Sequence, residues 1–335
     1  MLPAHTAPGP DGLTGRDLRE IPVAPLLVLL DILMLTRHLP VCLRNARIVF
    51  LPKIPGADTA TQFRPITISS VLVRLFHKIL ANRLLAEIQL DCRQRAFLPV
   101  DGCAEKILLL STALKECKSS CKPLYMASLD LTKAFDSVAV DAIFRGAAVR
   151  GCGQEILTYL EEFYQTTSTV LEFEGMQPLV HPSRGVRQGD PLSPLLVNLV
   201  LDEWLRADNH GKRIDDFVAF LDERGLAVNP AKSLTVALQS SGREKKVKLL
   251  QNMKFLVKGA EIVSATTGTE WRSLEACYAP FGQKRPSVVA ALTSLLDKVS
   301  VAPLWPQERL VALRYYLLPH LYHQLSSALS QPACL

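Results

Sequence analysis

Apolar residues recur at helical spacing through most of the chain, and short apolar runs of strand character separate these segments. The spacing predicts helices over 17–38, 70–90, 103–117, 139–150, 154–165, 191–206, 214–224, 286–299 and 307–326. Shorter runs rich in β-branched or alternating apolar residues predict strands at 48–51, 124–129, 168–173 and within 226–238. The pattern therefore predicts an α+β fold that is rich in helices and has few strands.

Two of these segments carry further expectations. In the helix over 70–90 the apolar residues share one face, which leaves Arg74, Lys78 and Arg83 on the others. The run 124–129 has the character of a buried strand and ends at Asp130. The first 12 residues are rich in Pro and Gly, so we expect them to be irregular.

Composition narrows the class of protein. The 335 residues are 48% hydrophobic and 21% charged, which predicts a large buried core in about two domains and excludes a disordered chain. The net charge of +6 is compatible with a polyanionic partner. Pro22, Pro25 and Asp31 interrupt the longest apolar stretch, so no membrane partner is expected.

The eight cysteines form no C-x-x-C pair and have no histidines at zinc-finger spacing. We expect ordinary reduced thiols in an intracellular protein. A metal or disulfide role for Cys117 and Cys121, four residues apart, is the alternative.

Asp130 is the first candidate for chemistry. It ends an apolar strand in the segment 128–136, where a carboxylate is well placed to hold a hard cation such as Mg²⁺. The alternative is a helix N-cap, since a helix begins a few residues later. For Asp136, which directly precedes the predicted helix, we favour the N-cap interpretation.

A loop at 185–194 is the second candidate. Gly185 and Gly189 let its backbone come close to a flat ligand or a nucleic-acid strand, and Gln188 offers both a donor and an acceptor. Pro191 and Pro194 then start a helix. The alternative is a plain Gly/Pro loop before a helix.

Together the two candidates resemble motifs A and B of reverse transcriptases. Further segments follow that family in order over residues 5–326. The segment 63–67 (FRPIT) resembles the fingers motif and Lys53 the lysine before it. Segment 225–233 resembles motif D, and 271–274 (WRSL) resembles the primer grip, with Glu275 in place of glycine. The runs 77–83 and 93–102 resemble non-LTR (LINE-type) retrotransposons, nearest to those that insert into ribosomal RNA genes.

The resemblance implies a right-hand polymerase fold with fingers at 1–122, palm at 123–280 and a helical thumb at 281–335. It implies an RNA-directed DNA polymerase that uses an RNA template, a DNA primer, deoxynucleoside triphosphates and Mg²⁺, and it implies a nuclear location. Without the family, Lys53 and Arg64 would be interpreted as solvent-exposed loop charges. The resemblance assigns site roles as follows: Asp130 binds the catalytic Mg²⁺ pair, Phe135 is the steric gate against a ribose 2′-OH, Lys53 and Arg64 contact the triphosphate, Gln188 and Gly189 shape the nucleotide and template pocket, and Lys232 lies near the leaving pyrophosphate.

The family also carries a motif C hairpin whose aspartate joins the motif A aspartate on both metals. The one Asp-Asp pair in this region, Asp215-Asp216, lies within helical spacing that ends at Gly225. Only residues 207–213 remain between the predicted helices 191–206 and 214–224, whereas a hairpin needs about 12 residues. We therefore expect a palm that lacks the catalytic hairpin and an enzyme that is impaired. Asp215-Asp216 as a rearranged substitute is the alternative for the site. A non-catalytic nucleic-acid-binding remnant or a non-functional pseudogene product are the alternatives for the function.

Overall fold

The computed structural model describes residues 2–171, 178–207, 213–241, 244–251, 253, 255–274, 276–284 and 288–317. The helices are α1 Asp17–Glu20, α2 Val23–Thr36, α3 Val41–Arg44, α4 Val71–Glu87, α5 Gly102–Ser119, α6 Ala134–Ser137, α7 Val140–Val149, α8 Gln154–Thr166, α9 Ser193–Arg206, α10 Ile214–Asp222, α11 Val288–Val301 and α12 Pro306–Ala312. The strands are β1 Asn45–Pro52, β2 Phe63–Ser69, β3 Leu124–Ser128, β4 Ser168–Leu171, β5 Leu179–Val180, β6 Leu234–Ser241, β7 Lys246–Leu249, β8 Phe255–Val257, β9 Ala260–Ser264, β10 Trp271–Ser273, β11 Ala276–Ala279 and β12 Gly282–Lys284. The α+β prediction is confirmed.

The chain divides into two compact units. The first combines Met1–Phe97 with Leu131–Val228, and the second combines Leu98–Asp130 with Asn229–Leu335. Each unit is therefore assembled from two separate stretches of chain. The predicted limits of fingers, palm and thumb are a division by function rather than by compactness, and they stay a prediction.

The first unit contains a four-stranded sheet in the order β2-β1-β4-β5. β1 pairs antiparallel with β2 and parallel with β4, and β4 pairs antiparallel with β5. The helix that follows β2, α4, begins at Ser70, whose hydroxyl accepts a hydrogen bond from the Leu72 amide. This cap satisfies one of the free amides at the helix start and fixes where α4 leaves the sheet.

The helix α4 buries more than its predicted apolar face, and Arg74 is among the buried residues. Its guanidinium donates a hydrogen bond to the carbonyl of Ala7. The N-terminal segment is irregular, as predicted, but it packs on the start of α4 instead of leaving that face in water. A β-carbon on Gly9 would lie 2.6 Å from the Ser70 amide nitrogen, so the two segments are in direct contact.

The second unit packs α5 against strands. Its core contains Ile107 and Leu114 of α5, Val236 and Leu238 of β6 and Tyr278 of β11. One sheet has the order β3-β6-β9-β8, with β7 also paired to β6, and a second has the order β10-β11-β12.

The prediction that 124–129 is a buried strand is wrong. Leu124 and Met126 pack against the core, but Tyr125 is 57% exposed, and Ala127 and Ser128 are exposed as well. Successive side chains of a strand point to opposite faces, so Tyr125 and Ala127 lie on the face away from the core that Leu124 and Met126 contact. Within the described residues β3 pairs with β6 on one side and with no other strand. β3 is therefore an edge strand with one solvent-exposed face.

The prediction of few strands is also wrong, because β7 to β12 occupy 246–284. These strands have three to five residues each, too few for an alternating pattern to stand out. The helix predicted over 307–326 is present as α12 and a π-helical turn over Leu313–Leu317, and residues 172–173, 286–287 and 318–326 of the predicted segments lie outside the described ranges. The other predicted segments correspond to elements, with two shifts. The helix over 17–38 is split by Pro22, and the strand within 226–238 starts only at Leu234.

No helix in the described ranges is long and apolar enough to cross a membrane. Every cysteine within those ranges is a free thiol, as expected, and Cys334 lies outside them. Cys117 is buried in α5, whereas Cys121 follows the end of that helix, so the two do not share a helical face.

Candidate active site

Lys53 and Arg64 lie on one β-hairpin of the first unit. In the register of β1 and β2, Leu51 is opposite Arg64, and the Lys53 amide donates to the Gln62 carbonyl over 2.7 Å. Because side chains alternate between the two faces of a strand, this register places Lys53 and Arg64 on the same face. Both are exposed. The Lys53 ammonium donates to the Thr61 carbonyl at 2.7 Å, and the contact of both cations with a triphosphate stays a prediction.

The loop at Gly185–Asp190 lies directly on β2. The Gln188 carbonyl accepts a hydrogen bond from the Thr67 amide at 2.7 Å. Gly189 has φ +103°, and a β-carbon there would lie 2.9 Å from the Thr67 carbonyl oxygen. At Gly185 (φ +82°) a β-carbon would lie 2.7 Å from the Asp136 carbonyl oxygen. The close approaches that these glycines permit are therefore to the protein's own backbone, which holds Gln188 in place.

The side chain of Gln188 is fixed as well. Its Nε2 donates to Oδ1 of Asp136 at 2.7 Å. Asp136 is inside α6 and Lys133 is the residue that precedes this helix, so the N-cap interpretation of Asp136 is wrong. The predicted helix is α7, which begins at Val140 after Ala139, whereas Asp136 lies in the separate short helix α6 that follows the left-handed Lys133 (φ +43°). Asp136 orients the amide of Gln188.

Phe135 is held by its backbone and by its ring. Its carbonyl accepts a hydrogen bond from the Val186 amide at 2.6 Å. Its ring packs edge-on against Phe97, with the ring centroids 5.8 Å apart. A half-buried aromatic side chain with both ends fixed is suited to exclude a substituent by its bulk, and the steric-gate role stays a prediction.

Three buried side chains form a hydrogen-bonded group at the end of the loop, and the sequence analysis did not predict it. His77 Nδ1 lies 2.6 Å from Oδ2 of Asp190, and His77 Nε2 lies 2.7 Å from the Tyr159 hydroxyl. All three side chains are buried, and Asp190 also accepts from the Leu192 amide at 2.9 Å. The available signal was one histidine on the apolar face of α4, which by itself does not indicate a partner.

The charge of Asp190 is stabilised where it is buried. Burial alone would raise the pKa of this carboxyl, but His77, the Leu192 amide and the cation of Arg187 outweigh burial and lower it. Arg187 is itself buried, lies 4.8 Å from the centroid of the Phe163 ring and donates to the Ser168 carbonyl. Asp190 is thus an ionised anchor for the loop.

Gln188 remains accessible beside these anchors. The loop forms one wall of a cleft of about 210 Å³, and the other walls include Thr67, Asp136 and Tyr164. The backbone and amide of Gln188 are therefore fixed at the edge of an open space that a ligand can enter.

Asp130 and Lys232 belong to the second unit, where a short network joins them. The Asp130 amide donates to Ser233 Oγ at 3.0 Å, and that hydroxyl donates to the Asn229 carbonyl at 2.7 Å. The Asn229 amide donates to the Asp130 carbonyl at 2.8 Å. The 3₁₀ turn Pro230–Lys232 is thereby tied to the end of β3, and both Asp130 and Lys232 are exposed. Ser233, named only as part of a motif, is the residue that fixes Asp130.

The carboxylate of Asp130 is suited to be one ligand of a magnesium ion. Among the described side chains no donor contacts the Asp130 carboxylate, so its oxygens are free to bind a cation. Mg²⁺ is commonly bound by one or two carboxylates together with substrate phosphates and water. Over the same residues, no cluster of three or more His, Cys, Asp or Glu side chains occurs. The Asp130 carboxylate therefore fits one ligand of a metal ion.

Asp215 and Asp216 lie on α10, as predicted, and not at a hairpin turn. Asp215 pairs with Arg213 at 3.3 Å, and Asp216 accepts from the Arg213 amide at 3.0 Å, so they serve the start of the helix. Leu221 is buried, and Gly225 has φ +71°, the predicted left-handed conformation. Residues 208–212 lie outside the described ranges, so the loss of the motif C hairpin and the distance from these aspartates to Asp130 stay predictions.

Comparisons with known proteins agree with these motifs. The family model described as "Reverse transcriptase (RNA-dependent DNA polymerase)" matches residues 52–256. The Pol polyprotein of the type-2 retrotransposable element R2DM of Drosophila melanogaster is 35% identical over 96% of this chain and 33% of its own length. That of the R2 element of Nasonia vitripennis is 36% identical over 96% of this chain and 34% of its own. The chain thus spans about a third of these relatives.

Among solved structures, telomerase of Candida tropicalis in complex with a fragment of telomeric RNA aligns at a TM-score of 0.45 with 12% identity, over 87% of this chain and 55% of that one. The apo form truncated of its C-terminal domain aligns at 0.42 with 16% identity, over 62% of this chain and 53% of that one. The family match covers more than half of the chain and includes Lys53, Arg64 and the Gln188 loop. The chain belongs to the reverse transcriptase (RNA-dependent DNA polymerase) family, and R2 retrotransposable elements are among its relatives.

Proposed function

We propose that this chain is the polymerase domain of an R2-type non-LTR retrotransposon, which binds a primed RNA template and a deoxynucleoside triphosphate but extends the primer at no measurable rate. The observation that carries this proposal is the fixed contact between the Gln188 loop and β2, the strand that holds Arg64. It supports a nucleotide site that is formed before any ligand arrives, which reduces the ordering cost of binding.

Each predicted site residue of the first unit has a defined role in this proposal. Lys53 and Arg64 bind the triphosphate charges from one face of their hairpin, because cations placed on phosphate oxygens stabilise the charge that develops during transfer. Gln188 contacts the nucleotide through an amide that Asp136 orients. Phe135 excludes a 2′-OH by its bulk. Together these residues select and hold the substrate.

In the second unit, Asp130 provides the metal ligand and Lys232 the cation for the leaving pyrophosphate. Bound Mg²⁺ would supply charge neutralisation on the phosphates and activation of the primer hydroxyl. One fixed carboxylate binds such a cation weakly compared with two. Loss of a metal ligand removes several kcal/mol of transition-state stabilisation, or on the order of a thousandfold in rate.

The test measures extension and binding on the same preparation. Labelled dTTP is offered to the chain on an oligo(dT)-primed RNA template with Mg²⁺, and binding of the same primed template is followed by fluorescence anisotropy. We expect binding without extension. Incorporation that Asp130→Ala abolishes would overturn the impaired activity and leave the polymerase assignment intact.

Two alternatives differ from this proposal in their outcomes. A remnant that only binds nucleic acid would bind the primed template but not respond to a nucleoside triphosphate. A non-functional product would bind neither. Triphosphate binding that depends on Lys53 and Arg64 therefore separates the proposal from both.

A further inference from the structure

Phe97 has a backbone conformation that its residue type rarely adopts. Its φ is +58°, in the left-handed region where a bulky side chain crowds the backbone and glycine does not. The residue lies in a turn and its side chain is 62% exposed, so burial in a core does not account for a phenylalanine at this position. Residues strained in this way cluster at functional sites. Since glycine would suit the turn better, the reason for phenylalanine must come from its ring.

The ring of Phe97 packs against the ring of Phe135. The planes of the two rings are inclined at 72°, the edge-to-face geometry that aromatic pairs prefer. Phe135 is the residue proposed to exclude a ribose 2′-OH. A side chain excludes a substituent by its bulk only if it stays in place, because a ring that rotates aside makes room for the larger ligand. The contact with Phe97 limits this movement of Phe135.

Helix α9 holds the segment that carries Phe97. The side-chain amide of Asn198 donates to the Ala96 carbonyl at 2.7 Å, one residue before Phe97. Further back, Oδ1 of Asp202 accepts from the Asp91 amide at 2.6 Å. Both side chains of α9 are buried, where a broken hydrogen bond is costly. The exposed ring of Phe97 is therefore mounted on a backbone that is fixed to a helix.

The same helix follows the loop that holds the backbone of Phe135. The Phe135 carbonyl accepts from the Val186 amide of the Gln188 loop, and α9 begins three residues after that loop ends at Asp190. The backbone and the ring of Phe135 are thus both held by segments that are attached to α9. We propose that Phe97 is a positioning residue for Phe135 and thereby determines how strongly the nucleotide site prefers deoxyribose to ribose. This inference rests on the proposed function, because Phe135 excludes a 2′-OH only in a chain that binds a nucleoside triphosphate.

The test compares the dissociation constants of dATP and ATP, which differ only in the 2′-OH. Both compete with a labelled deoxynucleotide for the intact chain, with Mg²⁺ and a primed RNA template whose next base is uracil. The primer ends in a dideoxynucleotide and lacks a 3′-OH, so equilibrium binding is measured whether or not the chain can extend a primer. We expect the unsubstituted chain to bind dATP more tightly than ATP.

Phe97→Gly removes the ring and leaves a residue that adopts the left-handed conformation without strain, so the variant should fold. If Phe97 served only the turn, glycine would leave the preference unchanged. We expect the ratio of the ATP to the dATP dissociation constant to fall about two- to tenfold, the range that corresponds to one edge-to-face pair. Phe97→Tyr keeps the ring and should keep the ratio. Circular dichroism and urea denaturation compare the folding of both variants.

A double variant shows whether Phe97 acts through Phe135. Phe135→Ala alone should remove most of the preference, and adding Phe97→Gly should change the ratio no further. A ratio that Phe97→Gly leaves unchanged, an equal loss of affinity for both nucleotides, or a further fall in the double variant would overturn the inference and leave the nucleotide site intact. If the unsubstituted chain bound neither nucleotide, the proposed function would fail and the inference with it.

Discussion

His77 and Asp190 are 113 residues apart in the chain, yet their side chains meet at 2.6 Å in the interior of the first unit. An ionised carboxylate can only accept, so Nδ1 of His77 carries the proton and donates it. The pair fixes the end of the loop whose Gln188 is assigned to the nucleotide, and it links that loop to α4. Stability and substrate binding are therefore expected to respond together to changes at this pair.

Asp190→Asn should lower the free energy of unfolding by about 2–4 kcal/mol, because it removes a buried charge partner while His77 and Arg187 remain. Urea denaturation measures this. Asp58→Asn, at an exposed aspartate outside the helices and strands, is the matched control and should change stability by less than about 0.5 kcal/mol. Equal effects of the two substitutions would contradict the anchoring role.

Stability should also fall in acid through Asp190. Its pKa is lowered in the folded protein, so its contribution is complete above the unfolded value of about 3.9 and is lost as pH falls through the folded value. The unfolding midpoint in urea, measured between pH 6 and 2, roughly the range over which carboxyls titrate, should fall less steeply in Asp190→Asn than in the unsubstituted chain. Parallel curves would show that Asp190 does not contribute to this slope.

Gly189→Ala should destabilise the protein by about 1–3 kcal/mol, since the added β-carbon meets the Thr67 carbonyl at 2.9 Å and the residue has φ +103°. It should also weaken triphosphate binding by displacing Gln188. Gly268→Ala is the control, because a β-carbon at Gly268 has nothing within 4 Å. Calorimetry and nucleotide titration give the two readouts, and an effect on stability alone would remove Gln188 from the nucleotide site.

Lys53→Ala and Arg64→Ala should reduce triphosphate binding more than binding of the primed template. Binding of the primed template should instead weaken as the salt concentration rises, by about a thousandfold between 50 and 200 mM if six or more phosphates are contacted. Arg83→Ala removes an exposed cation of α4 outside the hairpin and controls for net charge. If both ligands lose affinity equally, the assignment of these two residues to the nucleotide is wrong.

Asp130→Asn should abolish any stimulation of triphosphate binding by Mg²⁺, whereas Asp215→Asn with Asp216→Asn should leave it unchanged. The second pair lies at the start of α10, where negative charge contributes only about 0.3–1 kcal/mol to helix stability. Titrating the labelled nucleotide with and without Mg²⁺ tests this. Loss of stimulation in the double variant would restore Asp215 and Asp216 as metal ligands.

The sequence predicted those parts of the structure whose signals are local. Spacing at i, i+3, i+4 and i+7 before Gly225 was enough to place Asp215 and Asp216 on α10. Ordered motifs identified the Gln188 loop and the Lys53–Arg64 hairpin, and family membership follows from the same segments. In each case neighbouring residues carry the information.

Features that depend on distant pairs were not predictable in this way. The partner of His77 follows only from the path of the chain between α4 and the Gln188 loop. The exposure of Tyr125 depends on whether other elements pack over its face of β3, which the apolar residues of β3 itself do not indicate. Asp136 was assigned to the cap of the helix that follows, but it lies in the four-residue helix α6, which is too short for a periodic pattern to reveal.

The hydrogen bond from the Thr67 amide to the Gln188 carbonyl has a consequence for chimaeric proteins. Two segments more than a hundred residues apart fit each other atom by atom, so they should be exchanged between relatives only as a pair. A chimaera that receives the β1–β2 hairpin of another family member, but keeps its own residues 185–190, would combine surfaces that were selected separately. Recombination points for such domains are better placed before β1 or after residue 190, so that both halves of this contact come from the same parent.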